Sequence, residues 1–512
     1  MQENESEIKV MEQKVGIIDL GSNTVRLVIM KITEDGAYTL LDEQKETVRL
    51  DASVEAGGLL EGPAVEHAVD TIRLFKRLCD VNGVTRIIGL ATAAVRKARN
   101  KQRFIELVQQ QTGVSFSVIS GMQEAEYDYI GVVNSTSIED GLIVDIGGGS
   151  TELVRFEHRR LVHATSMPFG AITLTDSFLG RSKPKPDDVN RLNEFIHSKL
   201  REHAWVAFPD ATLVGVGGTI RNVAKIHQAK SNYRLPLLHG YAMPFADIKS
   251  LWEDMQDTTV SQRKKMRGLS DDRADIFLGG MAALVNVLEF SHIDNVVVSG
   301  NGVREGAFYK EVLGWRGGDR DVLDTSIENI LKIYNVNVRH AQYVARLSIK
   351  LFDQLATLHG CGNDFKKILY AAARLHDVGT ALNYYNHSQH TLYIILNSQI
   401  YGFTHRELVL CALIAASHHK DMVKSYARHY EGILYKDDAE KAQRMSAILR
   451  LAESMDRSES GVVKDVICSI SDDYVKLETV VNGDGVLELA DADNHRSYFK
   501  KIYDKDIHIA KL

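Results

Sequence analysis

The sequence predicts an α/β architecture of two related domains, followed by a mostly helical region and a short tail containing strands. Three observations carry that expectation. In the first half, β-branched apolar runs at 15–18, 86–90, 142–144 and 213–216, with another at 296–298, alternate with helical patterns, the signature of layered α/β folds. All seven prolines precede residue 245, so the remainder lacks the strongest helix breakers. The segment IIDLGSNTVRLV starting at Ile17 aligns without gaps on IVDIGGGSTELV starting at Ile143, with five of twelve positions identical, an internal repeat that implies two domains of common design.

Each copy of the repeat reads as an apolar strand ending in Asp, a glycine-containing turn and a second apolar strand. That is a β-hairpin whose tip carries free backbone N–H groups and hydroxyls. The offset between copies suits a small α/β domain, giving a first domain at 1–134, a second at 135–310 and a cleft between them. Near residue 315 the segment GWRGGDRD reads as a linker. A His-rich helical domain is expected over 315–460 and a small α+β tail domain over 461–512, with a strand at 474–480.

Composition narrows the class. A length of 512 residues suits three or four domains, and 44% hydrophobic with 25% charged residues is ordinary for folded globular chains. Cys79, Cys361, Cys411 and Cys468 lie far apart with no C-x-x-C spacing, which argues against a disulfide framework or a thiolate zinc site and suits a reducing cytoplasm. The polar, acidic start MQENESEIKVMEQK lacks the apolar core of a signal peptide, and no long uncharged apolar run suggests a membrane span. A net charge of −7 gives no global attraction for polyanions, so local basic grooves decide anion binding. Nucleic-acid binding is not expected, because no recognition module or aromatic platform accompanies the basic clusters.

The chemistry gathers at the two turns, Asp19 to Thr24 and Asp145 to Thr151. Glycine lets backbone approach an oxyanion, hydroxyls and N–H groups donate to it, and a strand-end Asp can hold a metal ion or orient water. Arg26 and Glu152 occupy equivalent repeat positions with opposite charge. The arginine's planar fork suits phosphate oxygens and the glutamate could face a cation. At Ser120-Gly121-Met122-Gln123 the spacing predicts a capping box, which puts Glu124 in the first turn of a helix. The macrodipole favours a carboxylate there on structural grounds alone; near a bound phosphate the same group could act as a general base.

In order along the chain stand DLGSNTVRL, ATAAVRKARN, ISGMQEAEYDYIGV, DIGGGSTEL, VGVGGTIRNVAKI, LHGY and VVVSGNGVREG. This set resembles the exopolyphosphatase and guanosine pentaphosphate phosphohydrolase family, over essentially the whole chain. The resemblance implies an actin-like, ribonuclease-H-like pair of domains that hydrolyses a terminal phosphoanhydride in the cleft, assisted by magnesium or another divalent cation. A monovalent cation is a further candidate. By the same resemblance Glu124 matches the base, Asp19, Gly21, Ser22, Asn23 and Arg26 the first phosphate turn, and Gly147, Gly148, Gly149, Ser150 and Thr151 the second. Arg96 matches a phosphate-clamping arginine, Asp145 and Glu152 fit the metal and water-positioning role, and Gly217, Gly218 and Thr219 form a third glycine turn. One departure is Gln123, where the family often carries an acid.

The resemblance extends to a C-terminal HD-type helical domain, where His340, then His376-Asp377, then Asp456 reproduce the HD-superfamily metal pattern. His387, His390, His418 and His419 could add ligands or bind phosphate. Basic clusters at Arg181, Lys183 and Lys185, at Lys264, Lys265, Arg267 and Arg273, and at Lys500 and Lys501 are candidates for handling a long anion. The expected activity is removal of terminal orthophosphate from inorganic polyphosphate, with guanosine pentaphosphate hydrolysis as the close alternative. An actin-like kinase or ATPase, or a non-enzymatic alarmone-binding sensor, are the alternatives of another class. The resemblance also implies a homodimer.

Overall fold

A computed structural model describes residues 12–51, 58–180 and 183–512; Arg181 lies outside them. The chain forms two compact units, Met1–Val322 and Leu323–Leu512.

The first unit contains two sheets of matching design. Strands β1 (Gln13–Leu20), β2 (Thr24–Ile32) and β3 (Tyr38–Thr47) form an antiparallel meander, and β4 (Arg86–Ala91) and β5 (Phe116–Val118) continue the sheet in parallel from β1, in the order β3-β2-β1-β4-β5. The second sheet repeats this plan. Its meander is β6 (Gly141–Ile146), β7 (Thr151–Glu157) and β8 (Arg160–Met167), with β9 (Thr212–Val216) and β11 (Asn295–Val298) parallel to β6. The short strand β10 (Ala242–Pro244) closes the far edge antiparallel. The repeat seen in the sequence is therefore the β1-β2 and β6-β7 hairpins. In register, Asp19 faces Arg26 and Asp145 faces Glu152.

The central strands read as continuous apolar runs because both of their faces are covered. Ile18, Leu20, Leu27 and Ile29 pack with helices Pro63–Val81 and Lys101–Thr112. Leu142, Val144, Leu153 and Leu213 pack with helices Pro186–Leu200, Gly217–Lys230 and Phe277–Ser291. The intervening residues Ile17, Val28, Ile143, Val154 and Val214 share a third core with helices Gly121–Val133 and Val303–Glu311. Complete burial of such a side chain contributes roughly 1.5–3 kcal/mol. The two inner helices pack closely enough that a β-carbon on Gly306 would fall 1.8 Å from Tyr127 O. Helix Val303–Glu311, which follows the last strand of the second sheet, thus lies on the helix that follows the last strand of the first.

In the second unit, helices Val338–Gln354, Asn363–Leu375, His405–Ala416 and Asp438–Ser454 pack around a shared core, and a three-stranded sheet, β12 (Val463–Ile470), β13 (Tyr474–Val481) and β14 (Asp506–Lys511), continues it. The expected division near residue 460 falls inside this unit. The reason is visible at Gln354, whose side-chain amide donates to Val466 O at 3.0 Å and accepts from Cys468 N at 2.7 Å. A three-stranded sheet buries too little surface to stand alone. Among the described residues no helix is long and apolar enough to cross a membrane.

Candidate active site

The tips of the two hairpins meet. Each turn closes identically, with Gly21 N–H donating to Thr24 O and Gly147 N–H donating to Ser150 O, both at 3.0 Å. A β-carbon on Gly148 would stand 3.1 Å from Ser22 Cβ, and one on Gly149 would stand 2.9 Å from Ser22 Oγ. Glycine at these two positions is what lets the second turn lie against the first. Lys97 Nζ donates to Gly149 O at 2.6 Å and holds that turn from the side. Ser22 Oγ and Asn23 Nδ2 are buried without a protein partner, so the first tip presents two unspent polar groups, and an unsatisfied buried group costs about 1–3 kcal/mol.

A cleft opens at this junction. It is lined by Asp19 and residues 21–24 of the first turn, by Asp145 and residues 146–150 of the second, by Thr92, Ala93 and Glu124, and by Gly217 and Gly218 at the start of helix Gly217–Lys230. Gly217 takes φ +85°, and a β-carbon there would strike Asp145 Oδ1, so the helix N-terminus and its free N–H groups come directly up to the Asp. That is a ready site for an anion. Segment 300–305 closes the remaining wall.

Glu124 reaches the cleft because its helix starts where the sequence indicates. Gln123 N donates to Ser120 Oγ at 3.2 Å and Ser120 N donates to Gln123 Oε1 at 2.9 Å, a complete capping box. Glu124 Oε2 accepts from Arg96 Nη1 at 2.9 Å. Burial pushes the Glu124 carboxyl up to about 7 against the pull of Arg96, and the charges of Asp19 and Asp145 raise it further. Burial also lifts Asp19 to about 6, against Arg304 and Arg26, and raises Asp145, against Arg221 and Arg26. Glu152 and Asp128 are driven upward by burial and by their carboxylate neighbours.

Four arginines face these acids. Burial, with repulsion from Arg221 and Arg304, brings Arg26 down to about 9; burial and Arg26 bring Arg273 down to about 10; burial, with Arg304 and Arg273, lowers Arg221. Burial works against the Arg304 charge too, but Glu305 and Glu43 hold its pKa above the ordinary value. The cleft thus contains carboxylates that repel one another and guanidinium groups that repel one another. An anion among the arginines and a cation among the carboxylates would relieve both. The oxygens of Asp19, Glu124, Asp145 and Glu152 are the hard donors that magnesium takes, so the residues fit a divalent cation.

Of the residues singled out from sequence, Asp19, Gly21, Ser22, Asn23, Arg26, Glu124, Asp145, Gly147, Gly148, Gly149, Ser150, Gly217 and Gly218 line this one cleft. Four stand behind its surface. Arg96 lies between two acids, at 2.9 Å from Glu124 and 4.0 Å from Glu152. Glu152 accepts the Ser166 hydroxyl at 2.7 Å, the Thr151 hydroxyl donates to Phe169 O at 2.8 Å, and Thr219 is buried where a β-carbon on Gly280 would meet it. Sequence reasoning missed Arg221 and Arg304 as lining residues and grouped Arg273 with Lys264, Lys265 and Arg267 as a basic cluster for handling a long anion, whereas it lines the cleft itself. A usable signal was present for two of them: Arg221 follows Gly218, and Arg304 follows Gly302, by two or three residues.

Anion donors converging on buried carboxylates are the equipment of an enzyme that moves phosphoryl groups to water or to an acceptor. The chain belongs to the Ppx/GppA phosphatase family, whose model matches residues 28–314, while the model of that family's domain III matches residues 322–489. It is a phosphoanhydride hydrolase. Among its relatives, guanosine-5'-triphosphate,3'-diphosphate pyrophosphatase of Aeromonas hydrophila is 29% identical over 85% of this chain and 86% of its own. The protein of that name from Aliivibrio fischeri strain MJ11 is 28% identical over 85% of each. Among solved structures, the Aquifex aeolicus member of the Ppx/GppA family is 32% identical, with a TM-score of 0.53 over 59% of this chain and 99% of that one. An exopolyphosphatase from Cytophaga hutchinsonii is 26% identical, with a TM-score of 0.56 over 59% of this chain and 98% of that one. The paired sheets of the first unit are thus the actin-like fold of this family.

Proposed function

We propose that the cleft releases terminal orthophosphate from inorganic polyphosphate by direct attack of water, with Glu124 as the general base. One arrangement carries this reading: a buried carboxyl with a pKa near 7 at the junction of two donor-bearing turns and four arginines. A base works best when its pKa lies near the working pH. Arg96 is a positioning residue that aims the Glu124 carboxylate through the 2.9 Å contact. The turns Gly21–Asn23 and Gly147–Ser150, with Arg26, Arg221, Arg273 and Arg304, hold the terminal phosphoryl and offset the charge that builds as water approaches. Water takes the place of a protein nucleophile, so no covalent intermediate forms. A divalent cation held by Asp145, Glu152 and Asp19 would neutralise phosphate oxygens when bound.

The lining has four arginines and, among the described residues, no aromatic side chain to stack on a base, which suits a bare polyanion. The names of the relatives that match 85% of the chain favour a second reading, guanosine pentaphosphate hydrolysis in the same cleft. A cytoplasmic setting agrees with four free cysteines, and a homodimer remains part of the proposal. The test compares phosphate release from long-chain polyphosphate and from guanosine pentaphosphate by purified wild type and Glu124→Gln. Release from polyphosphate that the variant loses supports the first reading. Release from guanosine pentaphosphate alone transfers the proposal to the second, and release from neither overturns both.

A further inference from the structure

The loop between β7 and β8 has a backbone that its residues disfavour. His158 and Arg159 take φ +48° and +60°, the left-handed geometry that glycine and asparagine usually supply in a two-residue hairpin loop. A long side chain kept there against its backbone preference points to work done by that side chain. Arg159 Nη2 donates to Val133 O at 2.5 Å, Nη1 to Thr136 O at 2.7 Å and Nε to Gly318 O at 2.9 Å, while Arg159 O accepts the Tyr129 hydroxyl at 2.8 Å. Tyr129 and Val133 belong to helix Gly121–Val133, whose first turn carries Glu124. The guanidinium charge thus sits at the negative end of the helix that presents the carboxylate.

A second side chain grips the same end. His239, from the LHGY segment, donates from Nε2 to Ser135 O at 2.9 Å and accepts at Nδ1 from Gly300 N at 3.1 Å. A carbonyl only accepts and an amide N–H only donates, so the ring bridges the two with its hydrogen on Nε2. Ser135 lies just past the helix, and Gly300 lies in the cleft wall. Carbonyls beyond the helix's own hydrogen bonds are therefore held by a loop and a connection of the second sheet.

These contacts close a frame. β7 leaves the cleft at Thr151 and runs seven residues, about 23 Å of strand. The helix leaves the cleft at Gly121 and runs 13 residues, about 20 Å. At the cleft end a β-carbon on Gly121 would fall 2.3 Å from Ser166 Cβ, so the helix start lies against β8. At the far end Arg159 joins strand and helix. Both members are stiff, so the far joint sets how Glu124 stands relative to residues 147–150.

We propose that Arg159 and His239 are positioning residues for hydrolysis: by fastening the far end of the Glu124 helix to the second sheet, they fix the spacing between the base and the phosphate-holding turn. The inference rests on the reading of Glu124 as the base. Neither side chain is among those lining the cleft, so both act through the helix and the wall. A displacement near 1 Å at the reacting groups can cost about a hundredfold in rate.

The test is a double-mutant cycle on phosphate release, with whichever of long-chain polyphosphate and guanosine pentaphosphate the wild type hydrolyses. Arg159→Ala should lower kcat at least tenfold with KM within about threefold, and should lower kcat less than threefold when placed on Glu124→Gln. A residue that only supports the fold removes the same factor from both backgrounds. His239→Ala should lower kcat in the same background-dependent way, and His239→Gln, whose amide offers both a donor and an acceptor, should restore it to within about threefold. Unchanged kcat in Arg159→Ala, or equal losses in the two backgrounds, overturns the inference alone. Wild-type turnover by Glu124→Gln overturns the base reading and this inference with it. Circular dichroism of each variant checks folding. If Arg159→Ala fails to fold, the His239 variants decide: no loss in His239→Ala, an equal loss in both backgrounds, or no rescue by His239→Gln refutes the positioning role.

Discussion

Replacing Glu124 by Gln separates the base assignment from every other part of the site. The amide keeps the shape, sits in the same helix turn and still accepts from Arg96 Nη1, now at 2.9 Å from the glutamate oxygen. It cannot take a proton from water. General-base catalysis is worth typically 10²–10⁴ in rate, about 3–5 kcal/mol of activation free energy, so kcat should fall by that factor while KM moves only a few-fold. The pH dependence follows from the sign of the shift. With a carboxyl near 7, the active, ionised base is roughly half populated at pH 7 and about one-tenth populated at pH 6, so wild-type kcat/KM falls about tenfold per pH unit below neutrality. That acid limb should vanish from the residual activity of the variant. Stability moves too. Raising a carboxyl from 4.5 to about 7 on folding gives stability that is complete below pH 4.5 and lost as pH rises through 7, a loss of about 3 kcal/mol by pH 8. Glu124→Gln, which has no charge to bury, should therefore gain melting temperature relative to wild type at pH 8 and not at pH 4. Steady-state phosphate release across pH 5–9 and thermal melts at those two pH values check both arms. Turnover within a few-fold of wild type, or an acid limb that survives the substitution, refutes the assignment.

Three further outcomes are expected. Arg304→Ala removes a cleft guanidinium whose protein partners, Glu43 at 2.7 Å and Glu305 at 3.6 Å, are partly exposed; KM for the anionic substrate should rise about tenfold or more with little loss of melting temperature, and an unchanged KM counts against substrate contact. Gly148→Val drives a side chain into Ser22 and Ile172 and should spread the hairpin tips; since a displacement near 1 Å can cost about a hundredfold in rate, kcat/KM should fall by that order while the circular dichroism spectrum stays native. Gln354→Ala removes two of the hydrogen bonds that tie β12 to helix Val338–Gln354 and should cost about 1–3 kcal/mol, read as a lower denaturant midpoint; a midpoint equal to wild type shows that packing and the contacts of Tyr343, Arg346 and Lys350 with the strand hold the sheet without it.

The sequence by itself determined the local pieces. The hairpins at Ile17 and Ile143 were legible because strand alternation, a strand-end Asp and turn glycines are short-range signals, and the helix beginning at Gly121 was legible because Ser120 and Gln123 cap it from within four residues. Only the tertiary structure decided what those pieces face. Arg221, Arg273 and Arg304 come from three separate elements; Arg221 and Arg304 open the helices that follow β9 and β11, the parallel strands of the second sheet, and those strand ends lead into one cleft with Arg273. Arg96, which the resemblance matches to a phosphate-clamping arginine, lies between Glu124 and Glu152, a neighbourhood that only the packing of distant segments sets up. The histidines of the second unit make the same point: their spacing names candidate ligands, but the carbonyl or carboxylate beside each Nδ1 is brought there only by folding.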